Sequence, residues 1–115
     1  MSRRTHKRTA SKQRDPALIF AALGDDTRLF LVAKLSGGEP RSIAQLTAGS
    51  RVTRQAITKH LRVLESAKIL RSVRTGRENL FQFDPQPLDE AKAYLDQVSR
   101  QWDQALARFK AFVGR

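Results

Sequence analysis

The chain has 115 residues, no cysteine, and 22 Lys+Arg against 11 Asp+Glu, a formal net charge of +11. That length supplies one domain with a modest core of its own and argues against several. Without cysteine there is no disulfide frame, no thiolate metal site and no cysteine nucleophile.

Residues 1–14 (MSRRTHKRTASKQR) hold six basic and no acidic side chains and no bulky apolar residue after Met1. They lack the apolar surface that would offset the entropy of ordering, so a disordered basic arm is expected there. Order is expected from residue 15 to 115. Asp15-Pro16 reads as an N-cap followed by a proline whose missing N–H costs nothing in a first turn. Leu18, Ile19, Ala22 and Leu23 follow at helical spacing, and Gly24 ends that helix. Asp25 or Asp26 can cap a second helix carrying Leu29, Phe30, Val32, Ala33 and Leu35 until Gly37-Gly38 and Pro40 break it. Ser42 with Gln45 three positions on makes a capping box for a short third helix over 42–49. Ser50-Arg51-Val52 then leads to Thr53, the N-cap of a fourth helix running to about Ala67. The tight link between the third and fourth helices makes a helix-turn-helix arrangement.

Beyond Ala67 the periodicity changes. Ile69, Leu70 and Val73, then Leu80, Phe81 and Phe83, flank Thr75-Gly76-Arg77 as two β-rich runs about a turn, which predicts a β-hairpin. Pro85 and Pro87 stop the second strand, and a final helix is expected from Leu88 to Val113. Its apolar positions 88, 91, 95, 98, 102, 105, 109 and 112 alternate by three and four, the seam of a helix packed lengthwise on another helix. Leu95, Val98, Trp102, Phe109 and Phe112 exceed what a small helical core with a hairpin can cover. Some of that seam is therefore expected to meet another chain. The fold class predicted is mainly α with a small β-hairpin, a homodimeric winged helix-turn-helix.

Charge follows this layout. Residues 15–40 carry a net −2, residues 41–77 carry nine basic side chains against one acidic (+8), and residues 78–115 carry −1. A surplus gathered in one tail and one middle segment is the footprint of a polyanion binder, with double-stranded DNA as the leading partner. A membrane surface would need a basic helix with a bulky apolar face, and no signal peptide or membrane span is present. A cytoplasmic, bacterial protein is expected.

Turned by about 100° per residue, the fourth helix puts Ile57, Leu61 and Leu64 on one stripe. Gln55, Thr58, Lys59 and Arg62 then share a sector of about 100° on the other side. Such a face suits the major groove, where Gln pairs with adenine, Arg or Lys with guanine, and a threonine methyl meets thymine. On an isolated helix the same face would be read as merely solvated; the capped helix before it, the short turn and the +8 of this segment favour DNA. Arg54, in the first turn, is better placed for a phosphate. Arg74 and Arg77 flank Gly76 at the hairpin tip, suited to phosphates or the minor groove, although arginines also keep exposed hairpins soluble. His60 borders the buried stripe and reads as a packing or hydrogen-bonding histidine before a base-reading one.

The run Ala21-Ala22-Leu23-Gly24-Asp25-Asp26-Thr27-Arg28-Leu29, the run Val52 to Glu65 (VTRQAITKHLRVLE) and Arg74-Thr75-Gly76-Arg77-Glu78 together resemble the ArsR family of winged-helix bacterial transcriptional regulators, over roughly residues 16–112. The resemblance implies a homodimer built by the first and last helices, which brings Leu18 into the interface, and repression by occupying an operator that overlaps a promoter. It also implies that Gln55, Thr58 and Lys59 lie in the base-contacting stretch. Many members sense metals through cysteines of the third helix or through Asp and His ligands on the last. Here the third-helix stretch reads Arg41-Ser42-Ile43-Ala44-Gln45-Leu46 and the last helix has no histidine, so no metal and no cofactor is expected. Thiol-based sensing is excluded by the missing cysteine. No residue names an inducer.

Two other classes compete. A shape-reading architectural or RNA-binding protein would use the same basic surface without base preference. An adaptor would use the last helix for a foreign partner. An enzyme finds no support: there is no phosphate-binding glycine loop, and Asp25-Asp26 and Asp89-Glu90 sit at helix starts, where acids complement the dipole.

Overall fold

The computed structural model describes residues 15–114. The basic arm expected over 1–14 lies outside the described residues. In chain order the elements are α1 (Pro16–Leu23), α2 (Asp26–Leu35), β1 (Arg41–Ser42), α3 (Ile43–Thr47), α4 (Arg54–Ser66), β2 (Leu70–Thr75), β3 (Glu78–Phe83) and α5 (Gln86–Val113).

The helix starts are written in short polar side chains. Asp15 accepts the Ala17 N–H at 3.0 Å, and Asp25 accepts the Arg28 N–H at 3.0 Å. At α3 the capping box is reciprocal. The Ser42 N–H donates to Gln45 Oε1 (2.8 Å), and the Gln45 N–H donates to Ser42 Oγ (3.2 Å). Thr53 Oγ1 accepts the Ala56 N–H at 3.1 Å, starting α4. Each such cap satisfies an amide with no partner inside the helix. Between α3 and α4 the chain turns at Gly49, whose φ of +73° favours a residue without Cβ; α3 accordingly ends earlier than residue 49.

The end of α4 is closed by backbone alone. The Lys68 N–H reaches the Glu65 carbonyl (2.9 Å) and the Ile69 N–H reaches that of Leu64 (3.0 Å), a Schellman pair with Ile69 and Leu64 both buried. The position that usually takes glycine is held by Lys68 at φ +66°.

Two sequence expectations are corrected. The β-structure is a three-stranded antiparallel sheet of order β1-β3-β2, not a bare hairpin. Arg41 pairs with Phe81 and Ser42 with Leu80, while β2 pairs with β3 from Leu70–Phe83 to Thr75–Glu78. The added strand is two residues long and its partners lie far along the chain, so no local period announces it. Secondly, α5 begins at Gln86, two residues before Leu88, with Pro85 as N-cap and Pro87 in the first turn. First-turn amides have no intrahelical acceptor, so these prolines start the helix at the point where they stop the strand.

The core joins Ile19 and Ala22 of α1, Leu31, Val32 and Leu35 of α2, Leu46 of α3, Ile57, Leu61 and Leu64 of α4, and Ile69, Leu70 and Phe81 around the sheet. Of α5 only the beginning belongs to it, through Pro87 and Ala91, with the Tyr94 ring 6.4 Å from that of Phe20 on α1. Past Tyr94 the helix runs on with its apolar side chains largely exposed.

Candidate nucleic-acid interface

With Ile57, Leu61 and Leu64 buried, the opposite side of α4 must face outward. Arg54, Gln55, Lys59 and Arg62 are exposed and Thr58 is half-buried. The Thr58 hydroxyl donates to the Arg54 carbonyl at 2.8 Å. That leaves its methyl as the contact surface and its hydrogen-bonding capacity largely spent within the helix. The helix therefore offers an amide, an ammonium and two guanidinium groups on one side, with no carboxylate among them.

The wing is the β2–β3 hairpin. Its two-residue turn, Gly76-Arg77, has Gly76 at φ +61°, the positive angle that a type II′ hairpin requires at its first central position. Arg77 is thus at the tip, while Arg74 lies one pair back, opposite Asn79; both are exposed. Arg77 is also brought close to the reading helix. A cleft of about 300 Å³ between the wing and the helix-turn-helix is lined by Ser42, Ala44, Arg54, Arg77 and Asn79, among others.

Polar ties hold the wing in place. The Ser72 hydroxyl donates to Glu65 of α4 at 2.6 Å, fixing β2 to the reading helix. Across the sheet Arg71 donates through Nε and Nη2 to Gln82 Oε1 (3.3 and 3.2 Å), and Gln82 Nε2 donates to the Gly38 carbonyl (3.0 Å).

His60 is half-buried, and its Nδ1 lies 3.1 Å from Arg28 Nη1 and 3.6 Å from Asp25 Oδ2. A guanidinium can only donate, so the shorter contact makes Nδ1 the acceptor and puts the neutral ring's proton on Nε2. Arg28 also donates through Nε to the Ala22 carbonyl (2.6 Å), closing the end of α1. One arginine of α2 therefore ties α1 to the reading helix, a link between positions 32 residues apart that the sequence does not display. The Arg28 N–H holds the Asp25 carboxyl below the usual carboxylate range; desolvation opposes this, and the charges of His60 and Arg28 support it.

The residues read from the sequence as interface do not form a second site within the chain. Leu18 on α1 is 61% exposed, and on α5 Leu95, Trp102 and Phe109 are 51, 63 and 62% exposed. Val98 is half-buried. Among the described residues no group of three or more His, Cys, Asp or Glu side chains is placed to hold a metal ion. Among them, too, no helix is long and apolar enough to cross a membrane.

A capped three-helix unit, an outward cationic reading helix and an arginine-tipped hairpin define a winged helix-turn-helix DNA-binding protein. Comparison with known proteins agrees. Residues 23–73 match the family described as "Helix-turn-helix domain". The chain is 31% identical over 103 residues to HTH-type transcriptional regulator Rv2034 of Mycobacterium tuberculosis, spanning 90% of this chain and 92% of that one. An ArsR-like transcriptional regulator from Rhodococcus sp. RHA1 superposes with a TM-score of 0.76 at 34% identity, over 84% of this chain and 91% of that one. The homodimeric winged helix-turn-helix domain of Mb0332 from Mycobacterium bovis, at 21% identity, shares the fold with a TM-score of 0.57, over 74% and 77% of the two chains. The chain belongs to the ArsR family of winged-helix transcriptional regulators, and it is not an enzyme.

Proposed function

We propose that this regulator is a homodimeric repressor that occupies an inverted-repeat operator in bacterial DNA. Gln55, Thr58, Lys59 and Arg62 enter the major groove, Arg54 holds a phosphate beside it, and Arg74 and Arg77 follow the backbone or the adjacent minor groove. The observation that carries this reading is the outward side of α4, where every exposed group of the first three turns that could reach a base is a hydrogen-bonding or cationic one. Family membership supports repression by occupancy. The exposed α5 seam with Leu18 supports self-association through the first and last helices. A two-fold axis there puts two reading helices on one side of the dimer, facing major grooves about 34 Å apart.

The test is to sequence DNA cross-linked to the protein and then compare the recovered site with random duplex. A repressor prefers its operator by at least about 10³. Equal affinity for both overturns the reading and leaves an architectural binder.

A further inference from the structure

Between α1 and the second half of α4 lies a cavity of about 410 Å³, within the size range of small-molecule sites. Leu18, Ala21 and Ala22 form one wall, Val63 and Ala67 the other, and the polar lining comes from Ser66 and Arg28. Arg28 is the unusual member. Its Nε bonds the Ala22 carbonyl, its Nη1 bonds His60 Nδ1, and its Nη2 makes only a long 3.4 Å contact with the Ala21 carbonyl. A guanidinium has five N–H groups, so one remains on each terminal nitrogen, the number that a carboxylate's two oxygens take. Asp25, the nearby carboxylate, is turned to the Arg28 backbone N–H.

We propose that this cavity binds a small amphipathic organic carboxylate, its tail between α1 and α4 and its head on Arg28, and that binding loosens the grip on the operator. A second copy of the chain is the poorer occupant. The seam that α5 offers (Leu95, Trp102, Leu106, Phe109) is uncharged and would leave the guanidinium donors unpaired against an apolar surface, at a desolvation cost. Coupling to DNA follows from the same hydrogen bonds. A carboxylate that draws on Arg28 competes with His60 Nδ1, and His60 sits on the reading helix between Lys59 and Arg62. Linkage makes the effect mutual: operator weakens the carboxylate by the factor by which the carboxylate weakens operator. This regulatory half rests on the operator-binding reading, and the binding half does not.

The experiment uses the full chain with sodium octanoate and sodium 4-phenylbutyrate as probes, and octanamide as the uncharged control. Methyl NMR follows Leu18 and Val63 during titration, and equilibrium dialysis measures affinity. Both carboxylates are expected to saturate those methyl shifts, and octanamide is expected to bind roughly tenfold or more weakly. Ser66→Leu, which fills the cavity from an exposed position, should weaken octanoate at least about tenfold while the melting temperature is kept. Arg28→Gln should do the same, and Ser66→Leu keeps the test valid if that variant fails to fold. Saturating octanoate should reduce operator affinity about five-fold or more, with an equal reciprocal loss.

No saturable shift with either carboxylate overturns the proposal, as does unchanged octanoate affinity in Ser66→Leu. So do intermolecular contacts from Leu18 and Val63 to a second copy that the probes do not disturb. If octanoate binds and no operator exists, the repressor reading falls while the site stands. If operator binds and octanoate leaves its affinity unchanged, the regulatory half alone falls.

Discussion

Replacing Trp102 by glutamate tests the α5 seam where it is largest. A tryptophan offers about 200 Å² of surface, and Trp102 is 63% exposed within its own chain. About 130 Å² per copy thus remains for a partner to cover, worth about 3 kcal/mol at about 25 cal/mol per Å² and about 6 kcal/mol for two copies related by symmetry. Even if the interface covers half of it, the loss is about 3 kcal/mol, more than a hundredfold in the dimer dissociation constant. The glutamate adds the cost of a charge facing apolar side chains. Trp102 is not part of the core, so the domain itself should stay folded. The second half of α5 should lose helicity in far-ultraviolet circular dichroism, because a helix end without packing is marginal in water. Sedimentation equilibrium should show monomer at concentrations where the parent is dimeric, and operator affinity should fall with no DNA-facing side chain altered. A Trp102→Glu protein that remains folded and dimeric and still protects the whole inverted repeat refutes the assignment of α5 as the interface.

Gln55→Ala and Arg62→Ala should each cost about 1–3 kcal/mol of operator affinity with little change in melting temperature, measured by fluorescence anisotropy and calorimetry; Leu61→Ala, on the buried side of the same helix, should instead cost about 2–5 kcal/mol of folding stability. Lys68→Gly should raise stability by about 0.5–1 kcal/mol in urea unfolding, because it relieves a left-handed backbone at φ +66° and gives back a little of that gain to chain entropy. The depressed Asp25 carboxyl contributes stability that is present above its unfolded-state value and lost as pH falls through the lower folded-state value. Asp25→Asn should therefore be less stable than the parent near neutrality, with the gap closing in acid; a gap that stays constant with pH ties the difference to something other than that ionisation. Deleting residues 1–14 should leave sequence preference intact and flatten log affinity against log salt by about 0.9 for each phosphate that the arm neutralises. An unchanged slope shows that the arm does not touch DNA.

What could be read from the sequence was whatever the chain encodes within a few residues. Asp15, Asp25, Ser42 with Gln45, and Thr53 each cap a helix through an amide two or three positions away, so short polar residues ahead of apolar runs place α1 to α4. The phase of α4 is equally local, and Ile57, Leu61 and Leu64 are the residues that the structure buries. The exceptions are long-range. β1 exists only because Phe81 and Leu80 offer a strand edge to Arg41 and Ser42. The Arg28–His60 bond joins two helices whose relative placement no period specifies. The earlier start of α5 is a different case, since a proline after a strand serves as stop and start at once.

The same division separates the two apolar surfaces that the folded chain leaves uncovered. Along α5, residues 95, 98, 102, 105, 109 and 112 keep the alternation of three and four that only another helix lying lengthwise can match, so the pattern itself describes the shape of what covers it. The cavity over Leu18 and Val63 is assembled from two helices, and its one strongly polar member comes from a third; no run of the sequence contains its shape, and it becomes visible only when Arg28 is seen holding α1 and His60 together. Placement then ranks the consequences. A change in the α5 seam acts on whether two reading helices are presented together, and so scales operator affinity through the dimer. A change at Arg28 acts within each subunit on how α4 is held against α1, and so alters affinity without altering assembly. Measuring sedimentation and DNA binding on Trp102→Glu and Ser66→Leu side by side separates those routes, because the first should move both quantities and the second should leave sedimentation where it was.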